Sequence, residues 1–251
     1  MNIFLINARF AHIMNLGVLF SGGKDSVFAC YRAMEKEDVK CLITLISENE
    51  ESYMFHTPNI GLAELVASAI GIDILKWRTP GVEEMELEDL RDAIIEARRL
   101  YGIEGIVTGA IESVYQSSRI QRICSELDLW CFNPLWQIDQ LDYLKMLIAH
   151  GFRVIVTGVF AYPLDESFLG AEIDDGMIAK LEMLQKRYGI SPSGEGGELE
   201  TLVLDGPIFR RRLEVLRAAR LFSGNRGRYV IESARLAEKP GHPNNRVAQR
   251  S

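Results

Sequence analysis

Cysteine is scarce in this chain of 251 residues. Cys30, Cys41, Cys124 and Cys131 are widely spaced and never form C-x-x-C, which argues against a zinc ribbon or thiolate cluster and leaves buried, reduced thiols as the expectation. Long apolar runs are missing as well. Ile3-Phe4-Leu5-Ile6 stops at Asn7, too short for a signal-peptide core, and no later run approaches a membrane span, so a cytoplasmic protein without a membrane partner is expected. Positive charge is in deficit, with 28 Lys and Arg against 35 Asp and Glu and a net charge of -7, which disfavours a protein that coats DNA. Glycine and proline number only 21 and 8 beside 47% hydrophobic and 25% charged residues, a balance that excludes a disordered or low-complexity chain. Neither the Walker pattern G-x-x-x-x-G-K-[ST] nor the dinucleotide fingerprint G-x-G-x-x-G occurs.

What is present is an alternation of short apolar runs with helix-length amphipathic stretches, the pattern of a parallel sheet covered by helices on both faces. Strands are predicted at 16–20, 39–46, 73–77, 105–108 and 129–133, with helices at 27–37, 61–70, 86–101 and 113–127 between them. After Pro134-Leu135-Trp136 the order changes to a helix at 139–150, a strand at 153–159, an irregular stretch, a helix at 174–188 and strands at 200–204 and 228–233. The expected organisation is an α/β domain over 1–133, in which 1–13 read as an extension ahead of Met14, then a smaller α+β domain over 134–237. The polar residues 238–251 read as a disordered tail.

Three clusters carry chemistry. Ser21-Gly22-Gly23-Lys24-Asp25-Ser26 joins the first predicted strand to the first predicted helix, where free backbone N–H groups and the positive end of the helix dipole make an anion site. Gly22 and Gly23 let the backbone curve around an oxygen-rich group, and Ser21 and Ser26 add hydroxyl donors, so phosphate is the natural guest. Gly109-Ala110-Ile111-Glu112-Ser113 follows the fourth strand at the carboxyl edge of the sheet, where open α/β sheets bind ligands. Gly109 would permit close approach of a nucleotide, with Ser113, Tyr115, Gln116 and Arg119 beside it; a solvated helix start with Glu112 as its favourable charge is the competing reading. Gly194-Glu195-Gly196-Gly197-Glu198-Leu199-Glu200-Thr201 sets three carboxylates among glycines, suited to Mg²⁺, to an ammonium or cationic substrate, or to nothing more than an acidic hairpin.

The first hexapeptide resembles the PP-loop of the N-type ATP pyrophosphatases, and the order of all the clusters resembles one branch, the diphthine-ammonia ligases. The likeness rests on Ser21 to Ser26, Ser52-Tyr53-Met54-Phe55-His56, Gly109-Ala110-Ile111 with Ser113, Tyr115, Gln116 and Arg119, Pro134-Leu135-Trp136, the Gly194 to Thr201 cluster and Asp205-Gly206-Pro207. It spans about 14–237, and it departs at Leu199, where an aromatic residue is expected. The resemblance implies a HUP-like fold, that of the adenine nucleotide alpha hydrolases. It also implies an ATP-dependent amidation in which the carboxylate of diphthine on elongation factor 2 is adenylated and ammonia displaces AMP. It further implies Mg²⁺ with Asp25 as a ligand, nucleotide contacts from Ser21 to Ser26, His56, Gly109 and Ala110, and catalytic roles for Lys24, Asp25, Glu195, Glu198 and Glu200. Substrate contacts are expected from Ser113, Tyr115, Gln116, Arg119, Gly196, Gly197 and Thr201, and the acids would attract the diphthine cation or hold ammonium. A homo-oligomer is compatible with all of this. Rival readings are a PP-loop enzyme that adenylates a tRNA base, which would call for a basic appendage or catalytic cysteines, and an ATP-binding sensor without turnover. His12 and His150 read as packed residues, as do the aromatics Tyr143, Phe152 and Tyr188.

Overall fold

The apolar run after Met14 forms β1 (Asn15–Leu19), the central strand of a five-stranded parallel sheet. The computed structural model describes residues 12–47 and 60–239. His56 and its neighbours from Ser52, residues 1–11 and the stretch from Pro240 lie outside the described residues. Beyond β1 the chain runs through α1 (Lys24–Met34), β2 (Asp38–Ser47), α2 (Ala63–Ile70), β3 (Ile74–Thr79), α3 (Glu83–Tyr101), β4 (Gly105–Val107), α4 (Val114–Glu126) and β5 (Trp130–Phe132). The strand order β3-β2-β1-β4-β5 reverses direction on either side of β1, so β1 and β4 end at the crevice where such sheets bind ligands.

Both faces of this sheet are covered. Val27 and Phe28 of α1 and Val66 of α2 pack on one face with Val18 and Leu42, while Leu90 and Ile94 of α3 and Ile120 and Ile123 of α4 pack on the other with Ile43 and Ile106. The remaining elements are α5 (Gln140–Ala149), β6 (Arg153–Val159), α6 (Asp175–Tyr188), β7 (Leu199–Asp205), β8 (Arg212–Ser223) and β9 (Arg226–Ala237). They build a four-stranded antiparallel sheet in the order β7-β6-β9-β8. Its core is continuous with that of α1: the Phe28 ring lies 5.6 Å from Tyr143 and 5.4 Å from Phe152, and Val203 N–H donates to Gly22 O at 3.1 Å.

Several expectations move. Helix α1 starts at Lys24, three residues before the predicted start, so half of the phosphate-loop hexapeptide is helical. Strand β8 was not foreseen and β9 is twice the expected length; Gly224, with φ +61°, sits in the turn between them. Cys131 is only half-buried, because β5 is an edge strand, whereas Cys30, Cys41 and Cys124 are buried. Tyr188 is exposed and stands edge-on to Tyr162, whereas Tyr143 and Phe152 are core. Lys239, assigned to the tail, is anchored by Asp205 at 2.9 Å and the Gly206 carbonyl at 2.7 Å. No helix among the described residues is long and apolar enough to cross a membrane.

Candidate active site

The phosphate-loop hexapeptide leaves β1 through Gly22, whose φ of +79° an L side chain would oppose. Internal hydrogen bonds hold the turn: Ser21 N–H donates to Ser26 Oγ at 3.2 Å, Gly23 N–H to Ser21 Oγ at 3.3 Å, and Ser26 Oγ to Gly23 O at 3.1 Å. The second half of the chain completes it, since Lys24 N–H at the start of α1 donates to Thr201 Oγ1 of β7 at 3.1 Å. Thr201 was expected to touch substrate; here its hydroxyl serves a helix terminus.

Gly109, expected to let a nucleotide approach closely, has a further reason to be glycine. A Cβ there would lie 2.7 Å from the Asp25 carbonyl carbon and 2.9 Å from Ser26 N, so the glycine lets the β4 loop rest directly on the first turn of α1. Lys24, 2% exposed, directs its ammonium away from solvent to both Asp25 carboxylate oxygens at 2.9 Å and to the Ser193 carbonyl. The buried Tyr143 ring lies 5.8 Å from the same ammonium. Burial first, and then the neighbouring Asp25 carboxylate, hold the Tyr143 phenol well above its ordinary pKa.

Over this turn opens a cavity of about 230 Å³, lined by Ser21, Asp25, Ser26, Thr108, Gly109, Ala110, Gln116 and Glu195, with Phe20, Ile43, Leu45 and Ile120 as an apolar wall. The cavity therefore pairs one polar, oxygen-rich side with one flat hydrophobic side. Glu195 Oε2 accepts from Glu112 N–H at 3.1 Å. Its carboxyl is raised above the ordinary value by burial, the backbone bond opposing this, and the Asp25 carboxylate nearby raises it further.

A side-chain network holds the three clusters together. Gln140 at the start of α5 accepts on Oε1 from Ser191 Oγ at 2.7 Å, Ser193 Oγ at 2.8 Å and Ser193 N–H at 3.1 Å, and its Nε2 donates to Glu112 at 3.0 Å. Ser193 in turn receives Lys24, so hydrogen bonds join the loop at Glu112, the loop at Ser191 and the phosphate loop. Sequence reasoning missed Gln140 and Ser193, whereas Tyr143, read as packing, is core and also stands beside the Lys24 ammonium. Gln140, Tyr143, Leu144 and Leu147 share one helical face, and a glutamine on that apolar stripe was the available signal.

Other expected site residues lie apart. Ser113 caps α4 by accepting from Gln116 N–H at 3.3 Å, and Tyr115 carries the Arg119 guanidinium 3.5 Å from its ring centre, neither ring nor guanidinium lining the cavity. Glu198 Oε1 accepts from Ser191 N–H at 3.0 Å, its carboxylate occupying the space a Cβ on Gly196 would need, while Gly197 is exposed. Glu200 projects from β7 on the face opposite Thr201, as adjacent strand residues do. Its buried Oε2 lacks a partner, and burial pushes its carboxyl up to about 8, with Arg228 opposing. Of the three acids of that cluster, only Glu195 reaches the cavity.

Two family models match the chain: the diphthamide synthase N-terminal domain over residues 14–130 and the diphthamide synthase C-terminal domain over 139–237. The mouse protein named diphthine–ammonia ligase is 33% identical over 225 residues, covering 80% of this chain and 83% of that protein. The human protein of the same name is 32% identical with the same coverage. Among solved structures, a chain described as a predicted subunit of tRNA methyltransferase from Methanocaldococcus jannaschii aligns with a TM-score of 0.42 and 21% identity over 78% of this chain and 98% of that one.

Proposed function

Because the chain belongs to the diphthamide synthase family, a family of ligases, we propose that it joins ammonia to the carboxylate of diphthine at the expense of ATP, with elongation factor 2 as the protein that carries the diphthine. The observation that carries this reading is the S-G-G-K-D-S turn at the end of β1, opening with the first turn of α1 onto a polar cavity of about 230 Å³. A helix N-terminus with a hydroxyl-rich turn suits the pyrophosphate portion of ATP. The apolar wall of Phe20, Ile43, Leu45 and Ile120 suits the adenine. His56 keeps its proposed nucleotide contact.

In this mechanism the diphthine carboxylate attacks the α-phosphorus, pyrophosphate leaves, and ammonia then attacks the acyl adenylate and releases AMP. Ser21, Ser26 and the loop backbone hold the departing pyrophosphate, so the charge that develops there meets donors already oriented for it. Lys24 positions Asp25 and ties it to the Ser193 loop. Asp25 and Glu195 put two carboxylates on one cavity, the second raised by burial and then by the first, a donor set that would suit Mg²⁺ beside the phosphates. Mg²⁺ bound there would neutralise charge on the pyrophosphate. Glu195 is the acid best placed to receive ammonium or the diphthine cation beside the nucleotide. Glu198 orders the Ser191 loop, and Glu200 acts from the far face of β7. We assign ATP to residues 14–133 and the acceptor to 134–237.

Purified protein, ATP, ammonium and elongation factor 2 bearing diphthine should give one AMP, one pyrophosphate and one amide per turnover, read by mass spectrometry of the modified residue. Formation of ADP and phosphate, or pyrophosphate release with no amide, would overturn the reading.

A further inference from the structure

Among the described residues, Tyr143 is the largest side chain that the fold buries completely. It stands three residues on from Gln140 in α5, and its ring packs against Phe28 of α1 with the centroids 5.6 Å apart. A phenylalanine would serve that packing as well. The hydroxyl is what a phenylalanine lacks, and here it is buried without closing a hydrogen bond. A buried donor left unpaired costs stability, so the hydroxyl calls for a use other than holding the core together.

What surrounds it is charged. The Lys24 ammonium lies 5.8 Å from the ring centre. After burial itself, the Asp25 carboxylate does most to raise the pKa of the phenol, through its charge and as an acceptor within reach, and Glu195 adds a smaller push. Both Asp25 oxygens accept from Lys24 at 2.9 Å, yet a carboxylate oxygen takes two donors, so each keeps room for one more. Asp25 is partly exposed and lines the cavity, whereas Lys24 and Tyr143 are buried and do not. The carboxylate therefore has the cavity on one side and these two donors on the other. An ammonium is a compact charge whose three hydrogens rotate, and it leaves a carboxylate free to turn about its Cβ–Cγ bond. A phenol on a ring locked in the core offers one donor at a fixed place, and it can hold the plane that the ammonium leaves free.

We infer that Tyr143 is a positioning residue for pyrophosphate release, its hydroxyl being the second donor that fixes the plane of the Asp25 carboxylate while Asp25 faces the nucleotide. The inference rests on the function proposed above. Tyr143 does not line the cavity, so it acts through Asp25 and not by touching the reacting atoms.

The test is pyrophosphate release from ATP, with ammonium and diphthine-bearing elongation factor 2, by the full chain as wild type, Tyr143→Phe, Asp25→Asn and the double variant, with thermal melts of each. Tyr143→Phe keeps the ring against Phe28 and beside Lys24 and removes only the hydroxyl, so it should melt at or above wild type. Its kcat should fall on the order of tenfold with KM for ATP unchanged. In the Asp25→Asn background the same substitution should change kcat by less than about twofold, because the group it acts through has already gone. A hydroxyl that serves only the fold gives the opposite pattern, a lower melting temperature at unchanged kcat, and overturns the inference. Losses that multiply in the double variant also overturn it, since they would make Tyr143 and Asp25 independent; so does a raised KM for ATP at unchanged kcat, which would put the hydroxyl on the nucleotide. Absence of pyrophosphate release with wild type overturns the amidation reading and this inference with it, whereas wild-type turnover matched by Tyr143→Phe overturns the inference alone.

Discussion

With 2% of its surface exposed and its ammonium shared between Asp25 and the Ser193 carbonyl, Lys24 carries a charge that cannot be removed without leaving buried acceptors behind. The hexapeptide on its own makes Lys24 a phosphate ligand whose loss spares the fold; the packing around it changes that expectation. Lys24→Ala should lower stability by about 2–3 kcal/mol, less than a fully buried pair would cost because Asp25 remains partly exposed. Asp25→Asn, which leaves the buried Lys24 ammonium without its counter-charge, should also melt below wild type, and it should in addition release pyrophosphate about a hundredfold more slowly. Thermal melts beside a pyrophosphate assay check both, and a Lys24→Ala protein as stable as wild type would return the lysine to the phosphate. Gly109 gives a sharper case. An added methyl would press on the Asp25 backbone at 2.7 Å, where no side chain can swing aside, so Gly109→Ala should cost about 1–3 kcal/mol and displace the first turn of α1. Retention of full activity by that variant would show that the β4 loop can retreat without moving the phosphate site.

Elements differ in how plainly their patterns announce them. The strands β1, β2 and β4 were legible because each is an apolar run ended by glycine or polar residues, and the phosphate loop was legible because its position between β1 and α1 is as informative as its letters. Strand β8 was not: Arg, Ala, Leu and Glu dominate it, residues that favour helices, and the bulges near Arg217 break the alternation that would have revealed a strand. For the same reason, spacing could group Glu195, Glu198 and Glu200 in sequence but not divide them in space. Glu195 lies in a loop free to turn toward Asp25, whereas Glu200 is bound by the pleat of β7 to the face opposite Thr201. That burial has a consequence for pH. The folded carboxyl of Glu200, at about 8, lies above its ordinary value of 4.5, so the folded protein holds a proton that the unfolded chain releases between those values. The stabilisation this gives is complete below about pH 4.5 and is lost as the pH rises through about 8. Glu200→Gln should flatten the pH profile of the melting temperature over that interval and exceed wild type above about pH 8 by roughly a few degrees. An equally steep profile in both proteins would mean that the carboxyl is charged in the fold and reaches water or a partner.

For the molecule as a whole, the sequence suggested two successive bodies, and the two sheets agree with that order, but the core does not divide with them. Periodicity tells that Phe28 is apolar and inward; it carries no information about which residues cover it. In the fold, Phe28 is fully buried and is covered by Tyr143, His150 and Phe152, all from the second half, while Arg210 N–H closes onto the Ala69 carbonyl at the end of α2 at 2.7 Å. The phosphate turn is similarly incomplete without Thr201, Ser193 and Val203. Burying an aromatic side chain of this size contributes about 2–3 kcal/mol, a large fraction of the margin by which domains are stable. A piece comprising residues 14–133 should therefore expose one whole face of α1 and fail to fold cooperatively, even though it contains the entire five-stranded sheet. The full chain should in turn unfold in one calorimetric transition, without a separate melt for each sheet. A soluble, monomeric 14–133 fragment that melts cooperatively and binds ATP with the affinity of the intact protein would show that the turn is organised by its own half, and would reduce the contacts from Thr201 and Ser193 to passive packing.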